Sequence, residues 1–291
     1  SNAGGLGSIG AVFESAESLR QQIERVRELT NRPFVVNHVV PLLNEESFVI
    51  TLAAQPAVIS LALGDPGELV ARAHATGAKV IHQVHTVEQA RQAAARGVDV
   101  IIAQGSEAGG QGLPLGVGSL ALIPQVVDAV SPIPVLAAGG IADGRGLAAA
   151  LVLGAQGANI GTRFLAAEEA SAAAAWKQAI LATESEDVVR FEVWKAIFPP
   201  ASSRGYDTVP RVMRTPFVDQ WQQHPDDARE QAERLRGEIM TTVHERRPHE
   251  LLPFTGQSAG LIHDILPAGE IVRRLVAEAE QALVGAASVI T

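Results

Sequence analysis

Two glycine-bearing turns carry the chemistry most readily read from this chain. The first is Ala137-Ala138-Gly139-Gly140-Ile141-Ala142-Asp143-Gly144, which follows an apolar run; the second, Asn159-Ile160-Gly161-Thr162-Arg163-Phe164, closes the next run. Backbone N–H groups in such turns, aided by the positive end of a following helix, form an anion site, and Thr162 adds a hydroxyl donor. Two turns of this kind at consecutive strand ends point to a phosphate-bearing cofactor, although Gly139 and Gly140 taken alone serve equally well in tight turns. A third loop, Gln104-Gly105-Ser106-Glu107-Ala108-Gly109-Gly110-Gln111-Gly112, holds four glycines in nine residues and lets the backbone approach a flat or anionic ligand. A fourth, Gly256-Gln257-Ser258-Ala259-Gly260, reads either as a linker or as a segment folded back over a ligand.

Asn37 sits inside an apolar run, where its amide needs a partner from a ligand or from the protein. His38, His82 and His85 fall near strand ends and point toward the mouth of the proposed site. Strand alternation sets His82 with Val84 on one face and Gln83 with His85 on the other. Neither H-E-x-x-H nor a comparable metal spacing occurs, so no metal site is expected. His74, His224, His244, His249 and His263 read as surface or packing residues.

These loops need a scaffold, and the chain supplies one by alternation. Apolar runs at 6–11, 34–39, 57–63, 79–84, 99–104, 134–138 and 158–164 alternate with helical stretches at 16–29, 45–54, 66–75, 86–96, 118–130, 144–153 and 168–181. Asp65-Pro66 and Thr86-Val87-Glu88-Gln89 supply helix-start signals, the second a capping box. Repeated strand–helix units with apolar strands describe a parallel sheet covered on both faces, and their unbroken order favours a (β/α)₈ barrel. Seven strands are counted, so the first of eight is expected to be missing from the chain. The barrel is expected over 1–184, with a helical insertion or lid over 185–253 and a C-terminal segment and helix over 254–291. In that insertion Phe198-Pro199-Pro200 stops regular structure, a polar helix is expected over 216–243, and Trp176, Trp194 and Trp221 are read as anchors. The final helix, over 268–283, carries Ile271, Leu275, Ala279 and Leu283 at four-residue spacing.

Composition excludes several function classes. The chain has 291 residues, 47% of them hydrophobic and only 4% aromatic, ample for a large core and poor in stacking platforms. With 23 Lys and Arg against 32 Asp and Glu, its net charge of −9 argues against nucleic-acid binding. The absence of cysteine removes disulfides, thiolate ligands and cysteine nucleophiles. No stretch reads as a membrane span, and a soluble cytoplasmic protein is expected.

Ala3-Gly4-Gly5-Leu6-Gly7, Val36-Asn37, Ala103-Gln104-Gly105 with Glu107-Ala108-Gly109-Gly110, the 137–144 turn, Gly161-Thr162-Arg163-Phe164 and Gly256-Gln257-Ser258 stand in the order found in one family. Together they resemble the nitronate monooxygenases, formerly 2-nitropropane dioxygenases, and their relative the FMN-dependent enoyl-acyl carrier protein reductase II. The resemblance covers nearly the whole chain and implies a barrel with one non-covalent FMN. It implies that Asn37, Gln104, Gly109 and Gly110 meet the flavin or its ribityl chain. Gly139, Gly140, Asn159, Ile160, Gly161 and Thr162 would hold the phosphate, and Gln257 and Ser258 would lie at the flavin edge.

Two departures bear on the reaction. The family commonly reads E-A-G-G-H-x-G, and here Gln111 stands at the histidine; the family segment S-F-H-F-G reads Ser60-Leu61-Ala62-Leu63-Gly64. A glutamine amide exchanges no proton near neutral pH. A nitronate is already an anion and needs no proton removed, whereas a neutral nitroalkane needs a base and an enoyl thioester needs a proton donor. Nitronate oxidation with O2 is therefore expected ahead of NAD(P)H-dependent reduction, with a flavin-binding protein lacking the family reaction as the third reading. His82 and His85 are the residues expected to stand in for the missing histidine. A homodimer is compatible with the segment 185–253.

Overall fold

The computed structural model describes residues 1–198 and 205–290. Pro199 and Pro200, read from sequence as a stop, lie outside the described residues. In chain order the strands are β1 Gly7–Gly10, β2 Phe34–Val39, β3 Val58–Ala62, β4 Lys79–Val84 and β5 Val100–Gln104. They continue as β6 Gly110–Gly112, β7 Val135–Ala138, β8 Gly157–Asn159, β9 Val188–Arg190 and β10 Val209–Met213.

Seven strands form one parallel sheet in the order β1-β2-β3-β4-β5-β7-β8, each step joined by a helical crossover. The strands carry apolar side chains on both faces. Val80 and Val84 pack with Leu69, Val70, Ala73 and Ala90 under the helices, while Ile81 packs inside with Ile102 and Ala138. The α/β class and the count of seven parallel strands agree with the sequence reading. The sheet is curled and open, with β1 and β8 as its two ends.

One helix, Ala268–Ile290, reaches both ends of this sheet. Near β1, Val272 lies 3.6 Å from where a Cβ on Gly5 would stand; ahead of β8, Glu278 accepts the Gly144 amide at 3.0 Å. Ile271, Leu275 and Ala279 are buried along its inner stripe, whereas Leu283 is exposed beyond the sheet. At Gly144 the two helices almost touch, since a Cβ there would fall 2.2 Å from Glu278 Cβ and 2.4 Å from the Ala279 amide nitrogen. Only glycine permits that approach.

Local rules explain most boundaries. Ser15 and Asn44 cap the helices Ala16–Leu29 and Glu45–Ala54 by accepting from Ser18 and Ser47. Thr86 caps Val87–Ala95, but Gln89 returns its side chain to the His85 amide at 2.8 Å instead of to Thr86. Four expectations are corrected. The helix expected from residue 66 begins only at Leu69, because Gly67 takes a φ of +47°. The strand expected over 158–164 is β8 alone, and the chain turns into a short helix, Thr162–Leu165. The polar helix expected over 216–243 is three helices, Pro216–Gln223, Pro225–Glu230 and Ala232–His244, because Pro225 cannot continue the first. Finally, the segment 185–253 carries strands as well as helices.

Those strands tie the segment to the barrel. β6, in the glycine-rich loop after β5, pairs antiparallel with β10, which pairs with β9; Gln111 stands opposite Pro210, and Gly110 opposite Arg211. Behind them Phe191, Phe217, Trp221, Leu235 and Leu252 make a separate apolar cluster, with Trp194 packed against it. Trp176 donates to Thr255 at 3.2 Å and stacks on His249.

The close approach at Gly144 gives a direct test. Gly144→Ala should lower stability by about 1–3 kcal/mol, as overpacking does. Gly237→Ala, in a helix where a Cβ meets nothing within 4 Å, should be neutral or stabilising by up to about 1 kcal/mol. Urea midpoints measure both, and equal midpoints for Gly144→Ala and the parent would remove the helix contact from the account.

Candidate functional site

The carboxyl ends of the parallel strands gather most of the residues singled out from sequence. β7 and β8 pair with Ala138 opposite Asn159, so the turns at Gly139-Gly140 and Ile160-Gly161 leave the sheet side by side. Gly139 and Gly140 take φ of +95° and +76°, which exposes the turn's backbone. Among the described residues, the amides of Gly140, Gly161 and Thr162 meet no protein acceptor, and a Cβ on Gly161 would enter open space. Free amides at adjacent turns, the second opening the helix Thr162–Leu165, suit an anionic group. The Thr162 hydroxyl is buried and accepts the Gly256 amide at 3.0 Å, leaving its own proton to give.

That bond also settles the fourth loop, which folds back over the site. The Gln257 amide donates to Glu107 O at 2.9 Å, and Ser185 donates to Gln257 O at 2.8 Å. The loop lies directly on Gly109, where a Cβ would stand 2.5 Å from the Gly256 nitrogen. Gly109 therefore lacks a side chain for packing reasons as well as any ligand reason. Gln257 is half-buried and Ser258 buried beneath it.

The glycine-rich loop after β5 is held from two sides. Glu107 accepts from both the Ser119 amide and hydroxyl, at 2.9 and 3.1 Å, at the start of the helix Ser119–Val130. From the opposite side Arg190 and Arg211 each donate to Ser106 O at 3.0 Å. Burial, together with the neighbouring Arg190 charge, brings the Arg211 guanidinium down to about 10, against the pull of Glu107. Gln104, buried at the end of β5, donates to Gln111 O at 2.9 Å.

Strand parity sorts the remaining polar residues. His38 faces the helices, with Nε2 2.9 Å from Thr51 Oγ1 and its ring edge-on to Phe48, so it is a structural histidine and not a mouth residue. Asn37, its neighbour, faces inward, as do Ser60 and Gln83 by the same alternation. His82 shares the helix side with Val80 and Val84. His85 lies one residue past β4, and both histidines meet Tyr206. His82 Nε2 is 3.3 Å from the Tyr206 hydroxyl, and His85 packs edge-on to its ring. Strand alternation had set these two histidines on opposite faces, but it ends at Val84 and a residue from the appended segment bridges them.

These side chains are uncharged at neutral pH. Burial pushes both imidazoles down to about 4, the nearby Asp65 opposing at His82 and the Gln111 backbone opposing at His85. Burial also lifts the Tyr206 phenol to about 12, with the Asp65 charge adding to it. Among the described residues no three His, Asp or Glu side chains converge as metal ligands, and no helix is long and apolar enough to cross a membrane. Tyr206, Arg190, Arg211 and Gln83 were not singled out from sequence. Tyr206 is the chain's single tyrosine, and nothing in local pattern placed it beside His82.

Comparison with known proteins agrees with this geometry. The family model for nitronate monooxygenase matches residues 1–48 and 44–278. A probable nitronate monooxygenase of Staphylococcus saprophyticus is 37% identical over 237 residues, 65% of this chain and 66% of that protein, so the match spans just under two thirds of that relative. The structure of FabK from Thermotoga maritima is 32% identical and superposes with a TM-score of 0.87, covering 99% of this chain and 89% of that one. A nitroalkane oxidase from Streptomyces ansochromogenes is 28% identical with a TM-score of 0.81, covering 98% and 91%.

The buried histidines make stability depend on pH. His38, His82 and His85 stay neutral in the folded protein down to about 4, whereas in the unfolded chain they take up protons below about 6.5. Stability is therefore full above pH 6.5 and is lost as pH falls toward 4, by on the order of 2 kcal/mol per imidazole at pH 5. Urea unfolding at pH 7 and pH 5 measures this; an unchanged midpoint would contradict the burial of neutral imidazoles.

Proposed function

The chain belongs to the nitronate monooxygenase family, and on that premise we propose that it binds FMN and oxidises alkyl nitronates with O2. The observation that carries the reading is the pair of turns with free amides at the ends of β7 and β8. The amides of Gly140, Gly161 and Thr162, bounded by Gly139, Asn159 and Ile160, would hold the phosphate. Asn37 and Gln104 would reach the flavin from the inner face of the sheet, with Gly109, Gly110, Gln257 and Ser258 along the loop edge. When bound there, FMN would supply the redox chemistry, with O2 as the oxidant of the reaction.

The protein's own contribution is to hold an anion without making one. Gln111 exchanges no proton, and His82 and His85 are neutral with little basicity left. A neutral nitroalkane would find in these three side chains no strong base, while a preformed nitronate asks for none. His85 is buried here, with the Tyr206 ring edge-on to it. The likeness to FabK supports a second reading, reduction by NAD(P)H.

Purified protein carrying FMN separates these. We expect O2 consumption with propyl-2-nitronate, at least tenfold less with neutral 2-nitropropane, and no anaerobic loss of flavin colour with NADH or NADPH. Rapid bleaching by either nicotinamide without turnover of the nitronate would favour the reductase reading. Gln111→His should raise activity on the neutral nitroalkane at least tenfold, in line with the gain from a positioned base; unchanged activity would count against the argument from the missing base.

A further inference from the structure

Near the end of β5 the buried Gln111 Oε1 and Arg190 Nη1 have no hydrogen-bond partner among the described residues, and neither ring nitrogen of the adjoining His85 makes a well-formed hydrogen bond, although the Gln111 backbone lies close to the ring. They lie together. A Cβ on Gly112, beside Gln111, would stand 3.1 Å from Arg190 Nη1 and 3.7 Å from Gln104 Nε2. The Arg190 charge and the Gln111 backbone both act on the His85 imidazole. Unmatched buried donors are costly, and more so on a charged group, so such a cluster in a native protein calls for a ligand or water.

The cluster has a sign. Arg190 and Arg211 share one carbonyl, Ser106 O, which neutralises neither. Of the two carboxylates whose charge reaches Arg190, Glu192 makes no ion pair with it, and Glu107 accepts its hydrogen bonds from Ser119. With the histidines neutral, the guanidinium of Arg190 is the cationic donor left unspent beside Gln104 and Gln111. We propose that Arg190 determines specificity for anionic substrates, its Nη1 donating to a nitro-group oxygen with His85 supplying a second, neutral hydrogen bond. The proposal rests on the nitronate reading for the identity of the anion, but the anion subsite itself can be tested separately. It makes the segment 185–253 a contributor to the site, since Arg190 closes β9 and reaches the barrel loop through Ser106.

Nitrate, planar and with the geometry of a nitro group, is a suitable probe. Calorimetric titration of the purified protein with sodium nitrate should show binding that Arg190→Gln weakens at least tenfold and Arg190→Lys weakens less. Arg229→Gln, which removes an exposed guanidinium paired with Asp226, should leave nitrate affinity unchanged. With propyl-2-nitronate, Arg190→Gln should raise KM by 10- to 100-fold with a smaller change in kcat. Because Arg190 also braces Ser106, thermal melting checks the fold; should Arg190→Gln unfold, Gly112→Ala crowds Nη1 while keeping the charge and should weaken nitrate at least threefold. No nitrate binding by the parent protein, or equal affinity in folded Arg190→Gln or Gly112→Ala, would overturn the proposal. Arg190-dependent nitrate binding without nitronate turnover would instead sink the functional reading and leave the subsite standing.

Discussion

The carbonyl of Ser106 is the point on which the rest of this structure turns. It accepts from Arg190 and Arg211 at once, and these two side chains come from strands that the barrel does not contain. The next residue, Glu107, fixes the far side of the same loop to the helix Ser119–Val130 and, through its own carbonyl, receives the returning Gln257 amide. A loop with four glycines would otherwise have large conformational freedom to lose. Here three separate parts of the chain remove it, and β6 can then pair with β10.

From that joint follows the electrostatic character of the site. Two guanidinium groups are drawn into the interior beside Gln104 and Gln111, while the imidazoles near them are held neutral by burial. The arrangement pairs fixed positive charge with side chains that neither give nor take protons near pH 7. Such an arrangement suits a ligand that already carries its charge. At the opposite side, the turns after β7 and β8 offer backbone amides, a directional attraction suited to an anionic group.

Much of the scaffold was legible because each element states its own limits. The helices Ala16–Leu29 and Glu45–Ala54 begin and end where their caps and periodicity place them. Strand parity, read from sequence, correctly separated His82 from Gln83. What could not be read was whatever depends on distant pairing. β6, β9 and β10 span 3 to 5 residues each and carry no alternation of their own; they exist because Gly110–Gly112 meets Val209–Met213 across the fold. Tyr206 and Arg190 enter the site only through that pairing. His38 failed for a different reason: its neighbours are those of a mouth residue, but Thr51 and Phe48 from the following helix satisfy it on the outer face.

If the proposed function holds, an anion is handled by groups that do not titrate near neutrality. The pH dependence of kcat/KM on preformed propyl-2-nitronate, assayed before the substrate reprotonates, tests it most directly. With His82 and His85 down at about 4 and Tyr206 up at about 12, the profile should be flat from pH 6 to pH 9. A rise or fall with an apparent pKa inside that window, abolished by replacing either histidine, would contradict it.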